Sequence, residues 1–591
     1  MIFMRIGGEP WIQRDLLRVR TYLIFQATNF VFVFFFVGFV LSSRTFSQTL
    51  QPNGEQKKIH GTVVNAVTHQ PVGRALVFSP DNRFAMLTDG EGNFEFTFPD
   101  VASDNTAVSR PGIVIRGNSN GQSTWLRARK PGYLDDANES TTLPARPGHE
   151  LTIYLMPEAV IKGRVTLSTT ESAAGVNVQI FSRQVQEGRP RWIPGAAARA
   201  NSNGEFRFAE LAAGVYKVVT HEFMDNDPVT RVPNGPLVGF PPIYYPGTTD
   251  FAAASTIQLM AGQIFEADLA LIRHPYYPVT IPVANAEANS GMNIDVTLQG
   301  NRSPGYSLGY NAAKQRIEGL LPNGNYVVEG KTFGAAATTG VVNLAVAGSP
   351  AEGPTLALTR NSSITLNVKE EFTATDWNGS GTWSDGKHTF DLHGPRLYLQ
   401  ANAESADDFV QRGASLHQPT GSNDSLVLED LPPGRYWLRL HTSRGYVASA
   451  SMGSVDLLHK PFIIGSGSTA PIDITMRDDG AEVEGTVAGV TLPGVREQND
   501  FQDSMPTAHL YWVPLPDSAG QFLESAASSD GKFGAQTIAP GTYRVLAFRT
   551  RQPNLPYCDA EAMRAYETKG QVVHLSAGQK ANVQLQIIAS E

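Results

Sequence analysis

Apolar and polar residues alternate with period two in short runs along most of the chain. Phe94-Glu95-Phe96-Thr97-Phe98, Ile472-Asp473-Ile474-Thr475-Met476 and Val583-Gln584-Leu585-Gln586-Ile587 are the clearest. Such alternation predicts strands with one face buried and one in water. A second pattern sits on the first. Leu211-Ala212-Ala213-Gly214-Val215-Tyr216, Leu321-Pro322-Asn323-Gly324-Asn325-Tyr326, Leu431-Pro432-Pro433-Gly434-Arg435-Tyr436 and Ile538-Ala539-Pro540-Gly541-Thr542-Tyr543 share an apolar-x-x-Gly-x-Tyr frame. Their glycines are separated by 110, 110 and 107 residues. Three copies follow an apolar-x-apolar strand (Phe206 and Phe208, Leu426 and Leu428, Phe533 and Ala535).

The frame predicts a strand, a tight corner and a second strand. Glycine would supply a positive φ. The tyrosine would turn its ring inward and return its hydroxyl to upstream backbone, a tyrosine corner. One corner per ~100 residues implies one sandwich per period. The expected fold is therefore all-β, a tandem array of about five Greek-key/Ig-like β-sandwich domains behind an N-terminal signal segment.

The expected boundaries follow the opening and closing strands. Residues 1–47 form the signal segment and 48–57 a linker; sandwiches span 58–158, 159–275, 276–360, 361–479 and 480–591. The first has a polar insertion where the corner should be. The second carries a long insertion, 221–250, and the third lacks a glycine in its opening strand, with Ile317 displaced by one residue from the template. A helix is expected at Asp559–Thr568, capped by Asp559 and stopped by Gly570.

Composition sharpens this picture. With 55 Gly, 38 Pro and 17% charged residues, the 591-residue chain suits many short strands and turns. Net charge is −9, and residues 1–47 carry five Arg and two acidic residues, so the remainder stands at −12. An acidic chain with no long basic run has no electrostatic footprint for nucleic acid. Cys558 is the single cysteine, which excludes an intramolecular disulfide and a cysteine metal site. Arg14, Arg18 and Arg20 precede the apolar run Phe30–Leu41, and Thr45-Phe46-Ser47 offers small residues for cleavage. A cleaved signal and an uncleaved anchor both fit; in the second case the membrane is met only through this segment. Either way the remainder is exported, to the periplasm, the outer surface or the medium.

Gly61-Thr62-Val63, Pro71-Val72 and Thr88-Asp89-Gly90-Glu91-Gly92-Asn93-Phe94 together resemble a carboxypeptidase regulatory-like domain, a transthyretin-like sandwich. Asn203-Gly204-Glu205-Phe206 and Asp530-Gly531-Lys532-Phe533 repeat its turn element in the second and fifth units. The resemblance implies a carbohydrate-binding-like fold and placement in the cell envelope of a bacterium. It implies no single activity and transfers no catalytic position.

Motifs that suggest chemistry each lack a partner. Gly117-Asn118-Ser119-Asn120-Gly121 has the G-x-S-x-G spacing but precedes a strand, not a helix. Gly381–His388 has P-loop spacing, with His388 where Ser or Thr must reach magnesium. His149-Glu150 and His221-Glu222 begin a zinc-protease pattern, but Ile153 and Asp225 replace the second His. Asp225-Asn226-Asp227 and Asn499, Asp500 and Asp503 read as turns, not calcium loops. No catalytic residue, metal site or cofactor is expected.

Trp192, Phe240, Tyr244 and Tyr245 fall in the insertions of the second unit, with Arg189, Arg191 and Asp250 nearby in sequence. They are either local covers or a stacking platform for a polysaccharide or an envelope protein. A non-catalytic envelope binder is one reading of the chain. A structural spacer, an adhesin stalk or an accessory of an outer-membrane system is the alternative.

Overall fold

The computed structural model describes residues 58–81, 84–97, 124–135, 142–145, 150–167, 173–225, 235–287, 291–298, 305–333, 337–373, 381–384, 387–407, 414–417, 421, 424–465, 469–489, 508–516, 518–528 and 530–588. The signal segment, the linker, Gly117–Gly121, Asn226-Asp227 and the 499–503 cluster lie outside them. Apart from Thr97, the described residues belong to one compact unit, Lys58–Phe96 with Ser109–Glu591.

One pairing scheme recurs five times. The opening strands are Lys58–Asn65, Ala159–Leu167, His274–Ala284, Ser362–Glu371 and Ala481–Ala488. Each lies between a middle strand and a closing strand of its own sandwich. Each pairs in parallel with the closing strands: Glu150–Leu155, then Ile264–Glu266 with Leu269–Leu271, Ala351–Glu352 with Leu356–Ala357, Ile472–Arg477, and Lys580–Ile588. Parallel pairing cannot be made by a hairpin, so the chain crosses to the second sheet and returns. Period-two burial then fills the space between sheets, as in Ala481–Ala488, where Ala481, Val483, Gly485 and Val487 point inward.

Glycine stands in three opening strands because the closing strand comes too close for a side chain. A Cβ at Gly61, Gly163 or Gly485 would lie 2.0, 2.3 and 2.0 Å from the carbonyl oxygens of Leu151, Ala267 and Val583. The rings of Phe94, Phe206 and Phe533 cover the same positions. In these three units the turn before the middle strand is also held alike. Val63, Val165 and Val487 donate their N–H to the carbonyls of Gly92, Gly204 and Gly531, each at 2.8 Å.

The four corner tyrosines are buried. Tyr216, Tyr326, Tyr436 and Tyr543 donate their hydroxyls to the carbonyls of Ala212, Pro322, Pro432 and Ala539 at 2.8, 2.9, 2.8 and 2.6 Å. The glycines act differently from expectation. None of Gly214, Gly324, Gly434 and Gly541 has a positive φ. They leave room instead: a Cβ on Gly324 would sit 3.0 Å from the Tyr326 hydroxyl, and one on Gly541 2.5 Å from the Gly520 nitrogen. The left-handed residues stand four positions earlier, Glu210 (φ 56°), Asp430 (φ 68°) and Thr537 (φ 56°). Each lies in a β-bulge where two residues of the middle strand oppose one of the opening strand. The third sandwich has no such bulge, because His274–Ala284 pairs with Arg316–Pro322 without interruption. One residue fewer reverses the side-chain parity, which is why Ile317 falls one place off the template.

The sandwiches are joined by more than linkers. In the second unit, Phe223–Met224 and Leu237–Phe240 form a hairpin, and Leu237–Phe240 pairs with the third unit's opening strand through Leu237–Tyr276, Val238–Pro275 and Gly239–His274. The insertion expected to be loop is thus partly strand, spliced into the neighbouring sheet. The expected helix at 559–568 is a short 3₁₀ turn, Ala562–Tyr566, whose approach is fixed by Asp559 Oδ1 accepting the N–H groups of Glu561 and Ala562 at 3.1 Å. Gly570, with φ 73°, ends it.

Candidate functional site

The aromatic residues singled out in the second sandwich are interior. Trp192 is 7% exposed, Phe240 3% and Tyr244 0%, while Tyr245 is half-buried against the Phe265 ring at 5.8 Å. Of the two readings, Trp192, Phe240 and Tyr244 follow the one of local covers, since their rings do not face solvent, while Tyr245 keeps part of its surface exposed. Phe240 packs with Ile243 in the main core and stacks on Phe223 at 6.2 Å. Trp192 and Tyr244 form a separate cluster with Phe181, Val219, Phe251 and Ala254. Trp192, Tyr244 and Phe181 present edges to Phe251 at 5.4, 5.4 and 5.7 Å.

A buried lysine stands among these rings. Lys217, on the strand Gly214–Thr220, is 4% exposed, and its Nζ lies 4.2 Å from the Phe251 ring centre and 5.1 Å from that of Trp192. It donates to the Phe251 carbonyl at 2.5 Å. Burial lowers its pKa, the charge of Asp250 opposes the shift and Arg183 adds to it. Ring faces attract a cation, so the box is occupied by the chain's own ammonium group. The run Tyr216–Thr220 is buried at every position, and a lysine there was a signal that period-two reading passes over.

Arg189 and Arg191 lead from this box to the fourth sandwich. Arg191, 5% exposed, donates to the carbonyls of Ser405 and Asp407 at 2.6 and 3.1 Å and lies 3.8 Å from the Glu404 carboxylate. The Arg189 guanidinium sits 3.8 Å from the Trp437 ring centre. Between them and the preceding strand Asn177–Gln186, the hairpin tip Glu187-Gly188 reaches the fifth sandwich as well. Glu187 pairs with Arg439 and accepts from the Tyr557 hydroxyl at 3.3 Å. Gly188 accepts from the Cys558 N–H at 3.0 Å, and Tyr557 stacks on Phe522 at 3.6 Å. Sandwiches two, four and five therefore meet at one hairpin tip.

Two further seams hold titratable groups. Where the second unit meets the third, Glu222 donates its N–H to the Gly305 carbonyl and its carboxylate accepts from the Ser307 N–H, both at 3.3 Å. Burial lifts its carboxyl to about 7 against weaker opposing hydrogen bonds from Tyr276 and Ser307. Burial, and the Glu222 charge after it, push the Tyr306 phenol up to about 12 and Tyr276 upward too; burial and then Tyr306 raise Tyr326. Between the fourth and fifth units, His459 bridges the Asp456 carboxylate at 2.7 Å and the Ser518 carbonyl at 2.9 Å. Those contacts raise its pKa, the Ser518 carbonyl most.

The remaining motifs acquire no chemistry from the fold. Gly381–Ser384 is a strand paired with Thr389–Leu392, so the P-loop spacing spans a hairpin. Among the described residues no three His, Cys, Asp or Glu side chains gather to hold a metal ion, and no helix is long and apolar enough to cross a membrane. A groove of about 440 Å³ on the first sandwich is lined by His60, Met86, Leu87, Asn93, Glu95 and Glu150, with Glu95 paired to Lys58 at 2.8 Å.

No family model matches the chain, and no curated protein matches it. Among solved structures, a streptococcal ancillary pilin aligns over 50% of this chain and 98% of its own, at 10% identity and a TM-score of 0.16. The full-length pilus protein RrgB of Streptococcus pneumoniae aligns over 73% and 98%, at 10% identity and a TM-score of 0.13. GBS52, a minor pilin of Streptococcus agalactiae, aligns over 36% and 96%, at 11% and 0.17. At these values the likeness says nothing of this chain's activity or partners.

Proposed function

We propose that this protein is an exported, non-catalytic array of β-sandwiches whose task is structural: a rigid spacer or scaffold of the bacterial cell envelope. The observation that carries the reading is the Glu187-Gly188 tip, held at once by Arg439 of the fourth sandwich and Tyr557-Cys558 of the fifth. A chain built to present independent binding domains has no need to tie its second domain to its fourth and fifth. Glu222 and His459, both with raised pKa values, also lie between sandwiches. Export rests on the arginine-flanked apolar run Phe30–Leu41. Kinship with carboxypeptidase regulatory-like domains is supported by the shared glycine and turn geometry of the first, second and fifth units.

Small-angle scattering of the chain from residue 48 onward tests the reading. A rigid scaffold gives a profile that matches sandwiches two, four and five in contact at the Glu187-Gly188 tip, with one dominant unfolding transition for the clamped units. A profile of freely jointed beads, with separate melting of each sandwich, would overturn it.

A further inference from the structure

One exposed aromatic side chain among the described residues, Trp125, stands on the first sandwich beside cationic and apolar neighbours. There the four-stranded sheet runs Ala85–Leu87, Leu76–Phe78, Thr124–Arg129, Thr142–Ala145. Val77, Leu126 and Ala128 face the core. Alternation therefore turns Leu76, Phe78, Trp125, Arg127 and Arg129 to the outer face, and register sets Leu76 between Leu87 and Arg129, and Phe78 beside Arg127. Trp125 is 42% exposed and Leu87 53%. The Arg129 guanidinium lies 5.5 Å from the Phe78 ring centre.

Charge is arranged with some economy on this face. Arg127 is paired with Asp135 at 2.7 Å. Arg129 has no acidic partner among the described residues, in a chain whose exported part carries −12. An exposed indole and an unpaired guanidinium thus occupy one strand, four residues and so about 13 Å apart at the usual strand rise.

We propose that this face docks an acidic polysaccharide. A pyranose ring offers C–H bonds to the indole face, and a uronate carboxylate further along the polymer matches the planar fork of a guanidinium. Trp125, Arg127 and Arg129 stand in a row along one strand, an arrangement that suits an extended polymer. The site lies outside the clamped sandwiches, so the face binds whether or not the array is rigid.

Titration of the chain from residue 48 onward with polygalacturonate at low salt tests this, with dextran as the neutral polymer and poly-glutamate as the acidic peptide. Polygalacturonate should bind and dextran should not. Trp125→Ala and Arg129→Gln should each weaken binding about tenfold, Arg129→Lys should recover part of it, and circular dichroism should show both variants folded. Absence of polygalacturonate binding overturns the proposal. So does binding that both variants leave unchanged, or poly-glutamate binding of equal strength that does not depend on Trp125, since that is attraction by charge alone. The scattering profile is read separately, so loss of one proposal leaves the other standing.

Discussion

The Tyr557 hydroxyl donates to the Glu187 carboxylate at 3.3 Å across 370 residues of chain. The bond itself is weak, but it lies beside a position where only glycine fits. A Cβ on Gly188 would come within 2.6 Å of the Tyr557 ring, and its φ is 74°. Gly188→Ala should therefore loosen the junction and cost about 1 kcal/mol or more from backbone strain alone. Calorimetry should show the single transition broadening or splitting. An unchanged melting profile would count against the clamp.

The corner glycines should rank by the space beneath them, not by φ. A Cβ meets its nearest atom at 3.6 Å on Gly214, 3.3 Å on Gly434 and 2.5 Å on Gly541. Alanine substitution should be mildest at Gly214 and most damaging at Gly541. Tyr436→Phe removes one hydrogen bond and should cost about 1 kcal/mol. Urea unfolding of the three alanine variants decides the order, and equal costs would return the explanation to backbone conformation.

Trp192→Ala should lower stability by about 3–5 kcal/mol, the usual penalty for emptying a large core site. Lys217→Met keeps the volume and removes a buried charge, so stability should change by no more than about 1 kcal/mol. Lys217→Glu puts the wrong charge against the ring faces and should cost over about 3 kcal/mol. Thermal melts of the three variants test the box. A methionine variant that unfolds would show that the ammonium group's contacts with the Phe251 carbonyl and Asp250 matter more than the rings.

Glu222 makes stability depend on pH with a definite sign. Its folded pKa, about 7, lies above the ordinary 4.5, so the folded state binds the extra proton between those values. That contribution is full below pH 4.5 and is lost as pH rises through 7. His459, also raised, adds a contribution present below about pH 6.5 and lost above it. Glu222→Gln should therefore gain stability relative to wild type at pH 8 and little at pH 5. The same difference at both pH values would remove Glu222 from the titration.

Much of the fold was legible because it is written locally. Period-two strands, the four tyrosine corners and the turn at Asp89–Asn93 each need only neighbours in sequence. The φ assigned to the corner glycines failed because a bulge four residues upstream absorbs the strain at Glu210, Asp430 and Thr537. The lack of that bulge in the third unit was visible as the shift at Ile317, though its cause was not. For Trp192 and Tyr244 the choice between cover and platform stayed open in sequence, because their partners Lys217 and Phe251 come from other segments. The contacts of Glu187 with Arg439 and Tyr557 leave no periodic trace at all.

Amide hydrogen exchange at Cys558 reads the junction without any substitution. Its N–H, in an irregular segment of the fifth sandwich, donates to the Gly188 carbonyl of the second at 3.0 Å. A scaffold clamped at that tip predicts protection comparable to the neighbouring strand Gly541–Phe548, lost together with the clamp in Gly188→Ala. Exchange at the rate of an open loop, while Gly541–Phe548 stays protected, would mean that the sandwiches part freely in solution and that the array is not rigid.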